Sequence, residues 1–278
     1  MNNAVLVTGA STGIGYATSA LLAREGFTVF AGVRTDADSQ RLSAIPGVAA
    51  LQLDVTDAEQ IRDAAHIVHE SGLPLRGVVN NAGIVAPGPL EFLPIDDLRL
   101  QFEVNFFGAV AVTQAFLPML RASKGRLIFM SSVSGQIASP FVGAYSSSKF
   151  ALESASDALR MELRGSGVGV SVVQPGNVNT PIWEKGRSRK DRLLGRVPPQ
   201  AHEYYAPALA ALVKVSEEAE RTGIDPNLVA RAVLHALTAK KARPRYAVGA
   251  PAGWMRRTFT MLPERLRDRT LMRRMGFE

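Results

Sequence analysis

Six short apolar runs recur along the first 180 residues, at 4–8, 28–33, 48–53, 77–80, 126–131 and 168–173, and most are followed by a stretch of helical character. Runs of this length are strands rather than helices. They are apolar throughout instead of alternating, so both faces of each strand must be covered. Helical segments lie between them, at 14–25 (closed by Gly26), from Thr56, near 95–120 and near 145–164. Thr56-Asp57-Ala58-Glu59 reads as a capping box, with Glu59 in the reciprocal position. Strand and helix in alternation predict an α/β fold, a doubly wound parallel sheet with helices on both faces.

The C-terminal third continues the pattern more loosely. Asp225-Pro226 has the form of a helix start, with Asp as cap and Pro in the first turn. Leu228, Val229, Ala232, Val233, Ala236 and Leu237 supply that helix's apolar face, and 245–248 is a last strand. There is no internal repeat and no low-complexity linker. One domain over 1–278 is the economical reading, with 182–223 as an irregular insertion over the end of the sheet and 254–278 as a basic tail.

Composition narrows the setting. No unbroken apolar run approaches the roughly 18 residues that span a bilayer, and no basic segment precedes the first apolar run as in a signal peptide. The chain has no cysteine, which excludes disulfides and thiolate metal sites. A cytoplasmic location is expected. The net charge of +7 is uneven: residues 1–180 carry 12 Lys/Arg against 15 Asp/Glu, and residues 181–278 carry 20 against 10. Such a basic end is a solvated rim, or attracts an anionic substrate or membrane surface. No nucleic-acid motif accompanies it.

Two motifs carry chemistry. Thr8-Gly9-Ala10-Ser11-Thr12-Gly13-Ile14-Gly15 follows the first strand and opens the first helix. Gly9 permits the tight turn, Gly13 lets backbone amides approach a pyrophosphate, and Gly15 allows close packing of helix on strand. The helix N-terminus then faces an anion with unpaired N–H groups. Further on, Tyr145 and Lys149 are four residues apart and share one helix face. A phenol is a poor base at neutral pH, and a neighbouring ammonium favours its ionised form, so the pair is suited to proton transfer.

Thr8–Gly15, Asn80-Asn81-Ala82-Gly83, Asn105, Ser132, Tyr145 with Lys149, and Pro175-Gly176-Asn177-Val178-Asn179-Thr180 occur in that order. Together they resemble the short-chain dehydrogenase/reductase family, in the subgroup with a G-x-x-x-G-x-G turn, closely over residues 1–180. The resemblance implies a Rossmann-type sheet in the order 3-2-1-4-5-6-7, with a nicotinamide dinucleotide across the strands' carboxyl ends. Ser132, 13 positions before Tyr145, matches the family's catalytic serine and binds the substrate oxygen. Tyr145 exchanges a proton with that oxygen, and Lys149 lowers the phenol's pKa and holds the nicotinamide ribose. Asn105 supports a water that links Lys149 to solvent, or bends its helix. The resemblance places Asp54 and the amide of Val55 at the adenine, with Asn81, Ala82 and Gly83 as the adjoining wall. Pro175 and Gly176 lead to Val178 and Thr180 at the carboxamide.

Arg34, just past the second strand, stands where an NAD site usually has a carboxylate. With Ser11 or Thr12 it can pair with a 2′-phosphate, so NADP(H) is preferred over NAD(H). Asp36 and Asp38 lie beyond the strand end and count for less. His66 and His69 are three apart on a helix with no further ligands in view, so no metal is expected. Trp183, Tyr204 and Tyr205 line a lid or pack it, and Lys185, Arg187, Arg189, Lys190, Arg192 and Arg196 decorate it. The tail interleaves Met255, Phe259, Leu262 and Leu266 with arginines, for contact with membrane, with its own domain or with a second subunit. The sequence therefore predicts an oxidoreductase acting on a secondary alcohol or ketone, lipophilic in the manner of a steroid or retinoid, in a homodimer or homotetramer. The alternatives are a 3-oxoacyl thioester reductase and a non-catalytic NADP(H)-sensing regulator.

Overall fold

The computed structural model describes residues 3–182, 221–249 and 261–274, with isolated positions between 184 and 220. Seven parallel strands form one sheet, β1 (Ala4–Val7), β2 (Thr28–Val33), β3 (Val48–Gln52), β4 (Leu75–Asn80), β5 (Arg126–Met130), β6 (Gly169–Pro175) and β7 (Arg245–Val248). Their order is β3-β2-β1-β4-β5-β6-β7, so the chain reverses direction across the sheet between β1 and β4. That reversal opens a crevice at the carboxyl ends of the two strands.

The period-2 geometry of a strand sorts side chains into two cores. Leu6, Phe30, Val78, Leu127 and Phe129 face one way, against Ile61 of α3 (Ala58–Glu70), Phe116 and Leu120 of α5 (Gly108–Ser123) and Leu152 of α6 (Gly143–Glu162). Val5, Val7, Val29, Val79 and Ile128 face the other way. They meet Leu22 of α1 (Gly13–Arg24) and Val229, Val233 and Leu237 of α7 (Pro226–Thr238). Each such fully buried side chain stabilises the fold by about 1.5–3 kcal/mol. Two shorter helices, α2 (Asp36–Ser43) and α4 (Ile95–Phe102), and the C-terminal α8 (Glu264–Arg274) are also among the described elements.

Several expectations shift. The cap of α3 is Asp57, one residue later than Thr56, and its carboxylate accepts from the N–H of Glu59 at 2.9 Å and of Gln60 at 3.2 Å. Gln60, not Glu59, answers the cap, donating from Nε2 to Asp57 Oδ2 at 2.9 Å. Thr56 is drawn away because its N–H and hydroxyl both donate to Asp54 Oδ1. On α7, capped by Asp225 as expected, Leu228 is 45% exposed and Ala230 is buried in its place.

The helix near 95–120 has a π-helical turn at Glu103–Phe107 between α4 and α5. The whole run Ile95–Ser123 is long and apolar enough to cross a membrane by length and composition. Its interspersed polar residues keep it from being an unbroken apolar run. Much of its apolar surface, at Ala109, Val112, Phe116 and Leu120, belongs to the core.

Candidate active site

The phosphate-binding turn is bolted to its surroundings by backbone and side-chain bonds. Ala10 N–H donates to the Gly32 carbonyl at 2.9 Å. The Thr8 hydroxyl accepts from the N–H groups of Asn81 and Ala82, both at 3.0 Å. Asn81 Nδ2 donates to the carbonyls of Thr8 and Gly9 at 2.9 and 3.0 Å. Gly9 and Gly13 have φ of +62° and +57°, in the left-handed region that favours glycine. A Cβ on Gly15 would lie inside the van der Waals envelope of the Gly9 carbonyl, and one on Gly13 would lie 2.9 Å from Thr180 Cγ2.

One cleft runs from this turn to the far end of β5 and β6. Gly9, Ser11, Thr12, Gly13, Ile14 and Gly15 form its floor, and Arg34, Asp54 and Val55 form one end. Asn81, Ala82 and Gly83 form a wall, while Ser132, Tyr145 and Lys149 form the other end with Pro175, Val178 and Thr180. Gly176 is not among the lining residues; its N–H donates to the Val248 carbonyl at 3.0 Å and shapes the turn. Asn105 stands just behind the wall. A Cβ on Gly83 would be 3.5 Å from Asn105 Oδ1 and 3.7 Å from Lys149 Nζ, so the three are neighbours.

The residues fit a dinucleotide. Thr35, Asp57 and Asp225 cap their helices with side-chain oxygens, but Thr12 makes no such bond at the start of α1. The first-turn N–H groups of α1 therefore open onto the cleft, suited to a pyrophosphate.

At the adenosine end, Arg34 is exposed, with its guanidinium 3.8 Å from Asp54 Oδ2. Asp38 is turned away from the cleft onto Arg41 Nη2 at 2.6 Å and the Thr35 hydroxyl at 2.8 Å. Arg41 Nη2 also donates to the Ser11 carbonyl at 2.5 Å, tying α2 to the phosphate turn. Arg41 was not legible as a site residue, because its contact spans 30 positions.

At the reacting end, Ser132 caps the 3₁₀ turn Val133–Gly135, its hydroxyl accepting from Ser134 N–H at 3.1 Å. Lys149 is 4% exposed, and its ammonium donates to the Met130 carbonyl at 2.8 Å. Burial pulls its pKa down to about 8, and Glu153 acts in the opposite direction. The Tyr145 phenol departs from the expectation that its lysine acidifies it. Burial raises its pKa, with a hydrogen bond involving Ser132 acting against the rise. Lys149 Nζ lies 5.7 Å from the ring centroid and donates to the Met130 carbonyl.

Asn105 lies in the π-helical turn. Its Oδ1 accepts from Ile84 N–H at 2.8 Å, and its Nδ2 donates to the Ile84 carbonyl and to Ser148 Oγ, both at 3.1 Å. Two partners carry no sequence signal of their own. Gln101, fully buried one turn earlier, accepts from Ala86 N–H and donates to the Ile84 carbonyl, both at 2.7 Å. The Ser148 hydroxyl donates to the Tyr145 carbonyl at 2.7 Å. Three consecutive serines look alike in sequence; only the helix register separates this one.

His66 and His69 are exposed on α3. Tyr205 Oη donates to Glu91 Oε2 at 2.7 Å, and its ring meets Phe92 and Phe141 edge-on. Tyr204 is 62% exposed. In the tail, Leu262 and Leu271 pack against Val133 and Ile137, beside the Ser132 turn, while Leu266 faces solvent. Trp183, Lys185, Arg187, Arg189, Lys190, Arg192, Arg196, Met255 and Phe259 lie outside the described residues.

A reversed parallel sheet with a glycine turn at its switch point and a Ser-Tyr-Lys group along the same cleft defines a dinucleotide-dependent oxidoreductase. The short chain dehydrogenase family model matches residues 3–191. The chain is 39% identical over 251 residues to the 3-amino-tetrahydro-pyrrolizinone reductase of Xenorhabdus hominickii, covering 89% of this chain and 87% of the relative. It is 35% identical to the NADPH-dependent 3-dehydrocapnine reductase of Ornithobacterium rhinotracheale, covering 95% and 94%. It is 34% identical to human retinol dehydrogenase 5, covering 97% and 88%. A short-chain dehydrogenase from Streptomyces avermitilis superposes with a TM-score of 0.78 at 28% identity, over 99% of this chain and 98% of that one. The chain belongs to the short-chain dehydrogenase/reductase family and is a nicotinamide-dependent oxidoreductase.

Proposed function

We propose that this protein interconverts a secondary alcohol and its ketone on a lipophilic substrate, with NADP(H) preferred over NAD(H). The observation that carries the reading is that Ser132, Tyr145 and Lys149 border the same cleft as the glycine turn. A bound nicotinamide supplies or takes up the hydride. In reduction, the Ser132 hydroxyl binds the carbonyl oxygen and Tyr145 Oη gives it a proton as the new C–H bond forms. Oxidation reverses both movements. A phenol whose pKa is raised by burial keeps that proton available at neutral pH. The Lys149 ammonium holds the ribose and faces the tyrosine ring.

The NADP(H) preference rests on Arg34 at the cleft's end and on Asp38 being engaged by Arg41 and Thr35. Asp54 and Val55 hold the adenine, Asn81 to Gly83 its wall, and Pro175 to Thr180 the carboxamide end. Residues 182–223 act as the substrate lid of a single domain. The Tyr205–Phe92–Phe141 cluster gives that side an apolar, aromatic character suited to a lipophilic molecule. Exposed Leu100, Phe107 and Phe150 support association of two or more copies.

Titration with NADPH and NADH, followed by a ketone panel monitored at the reduced cofactor's absorbance, tests the reading. Tighter binding of NADPH, and turnover of bulky apolar ketones over acyl thioesters, is the expected result. Binding without any turnover would point to a regulator instead.

A further inference from the structure

One turn beyond Lys149 on α6 lies Glu153, a carboxylate only 6% exposed. It is gripped from two strands. Oε1 accepts from Gln174 Nε2 of β6 at 2.8 Å, and Oε2 accepts from Arg245 Nε of β7 at 3.0 Å. Arg245 continues to Asp157 Oδ2 at 2.7 Å, and Asp157 Oδ1 accepts from Arg160 at 3.1 Å. The Ser132 turn rests on the same spot: a Cβ on Gly135 would stand 3.0 Å from Glu153 Cγ and 3.2 Å from the Lys149 carbonyl. Burying a carboxylate costs several kcal/mol, and an apolar pair of similar shape is often as stable. Stability alone is therefore a poor reason for this one.

We propose that Glu153, locked by Arg245 and Gln174, is a positioning residue that keeps the Lys149 ammonium charged beneath the cofactor cleft. The proposal rests on the role given to Lys149 above. Glu153 stands one helical turn from Lys149; its oxygens bond Gln174 and Arg245 rather than the ammonium, and the low exposure of both residues strengthens the attraction between their charges. Burial drags Lys149 toward the neutral amine, and Glu153 is the group that opposes it.

The surroundings supply no obvious substitute. Tyr145 lies on Lys149's own helix. On the elements packed against α6, Asp96, Arg99 and Glu103 are exposed, Asp97 is half-buried, and Arg245 is the cation at β7. With its second carboxylate, Asp157, bound to Arg245, the network keeps a partner for the guanidinium when Glu153 is changed.

The test is Glu153→Gln, which keeps the shape and an acceptor oxygen for one of the two bonds and removes the charge. Its turnover–pH profile should lose the alkaline limb about one pH unit earlier than the wild type. In the cofactor-free protein, acetylation of Lys149 by acetic anhydride near pH 7, read by mass spectrometry, should rise roughly fivefold. A uniform loss of activity at every pH with unchanged acetylation would overturn the proposal. Should the Gln variant fail to fold, Glu153→Asp retains a charge set one methylene further back. It should shift both readouts the same way by less, and an unmoved limb with unmoved acetylation overturns the idea equally. The two readings fail separately: wild-type turnover indifferent to Tyr145→Phe sinks the site assignment, whereas acetylation of the apoprotein tests Glu153 alone.

Discussion

Asn105 grips Ile84 at both backbone atoms, accepting from its N–H at 2.8 Å and donating to its carbonyl at 3.1 Å. The loop leaving β4 is thereby tied to the π-helical turn that carries Asn105. Asn105→Ala leaves the Ile84 N–H without its partner, while the Ile84 carbonyl keeps its bond from Gln101. It should lower unfolding stability by about 2 kcal/mol in urea titration, with turnover falling as well.

Tyr145→Phe removes one oxygen from a site that keeps its shape. Turnover should drop at least ~100-fold while dinucleotide affinity, read by fluorescence titration, stays within about twofold. Loss of binding along with turnover would mean that the phenol holds the cofactor rather than the proton.

Lys149 makes opposite contributions to activity and stability. Its charge is lost as pH rises through about 8, so turnover should decline above that point. The unfolded lysine titrates near 10.5, so between pH 8 and 10.5 the unfolded state binds more protons and stability rises with pH. Below that window the buried charge costs on the order of 3 kcal/mol. Lys149→Met, though inactive, should therefore match or exceed the wild type in stability near pH 7. Paired urea titrations should show that advantage shrinking near pH 10.

Two glycines of the cleft should respond differently to alanine. Gly15→Ala drives a methyl into the Gly9 carbonyl, and dinucleotide affinity should fall at least ~10-fold as the turn is displaced. Gly83→Ala meets nothing closer than 3.5 Å. Its melting temperature should stay within about 2 °C of the wild type.

Tyr205→Ala removes the bond to Glu91 and both edge-on ring contacts. Each aromatic pair is worth about 0.5–1.5 kcal/mol. The specificity constant for bulky ketones should fall roughly tenfold with NADPH affinity unchanged, as steady-state kinetics would show.

Much of this arrangement was legible because it rests on local rules. The strands were readable since a fully covered strand must be apolar on both faces, and Asp225-Pro226 was readable because capping is settled within three residues. The cap of α3 slipped by one because Thr56 and Asp57 are equivalent in local chemistry. Only the pull of Asp54 on Thr56 separates them. Arg41 on the Ser11 carbonyl, Gln101 on the Ile84 loop and Arg245 on Glu153 join segments 30, 17 and 92 residues apart. No pattern of spacing encodes such contacts.

From the order of residues alone came the strand–helix alternation, the glycine turn and the Tyr-x-x-x-Lys pair, since each depends on neighbours within one or two turns of chain. Which way the phenol's proton affinity moves was decided by folding. Burial depends on what the rest of the chain lays over a side chain, and in this cleft it raises the phenol's pKa against the opposing pull of its hydrogen bond with Ser132.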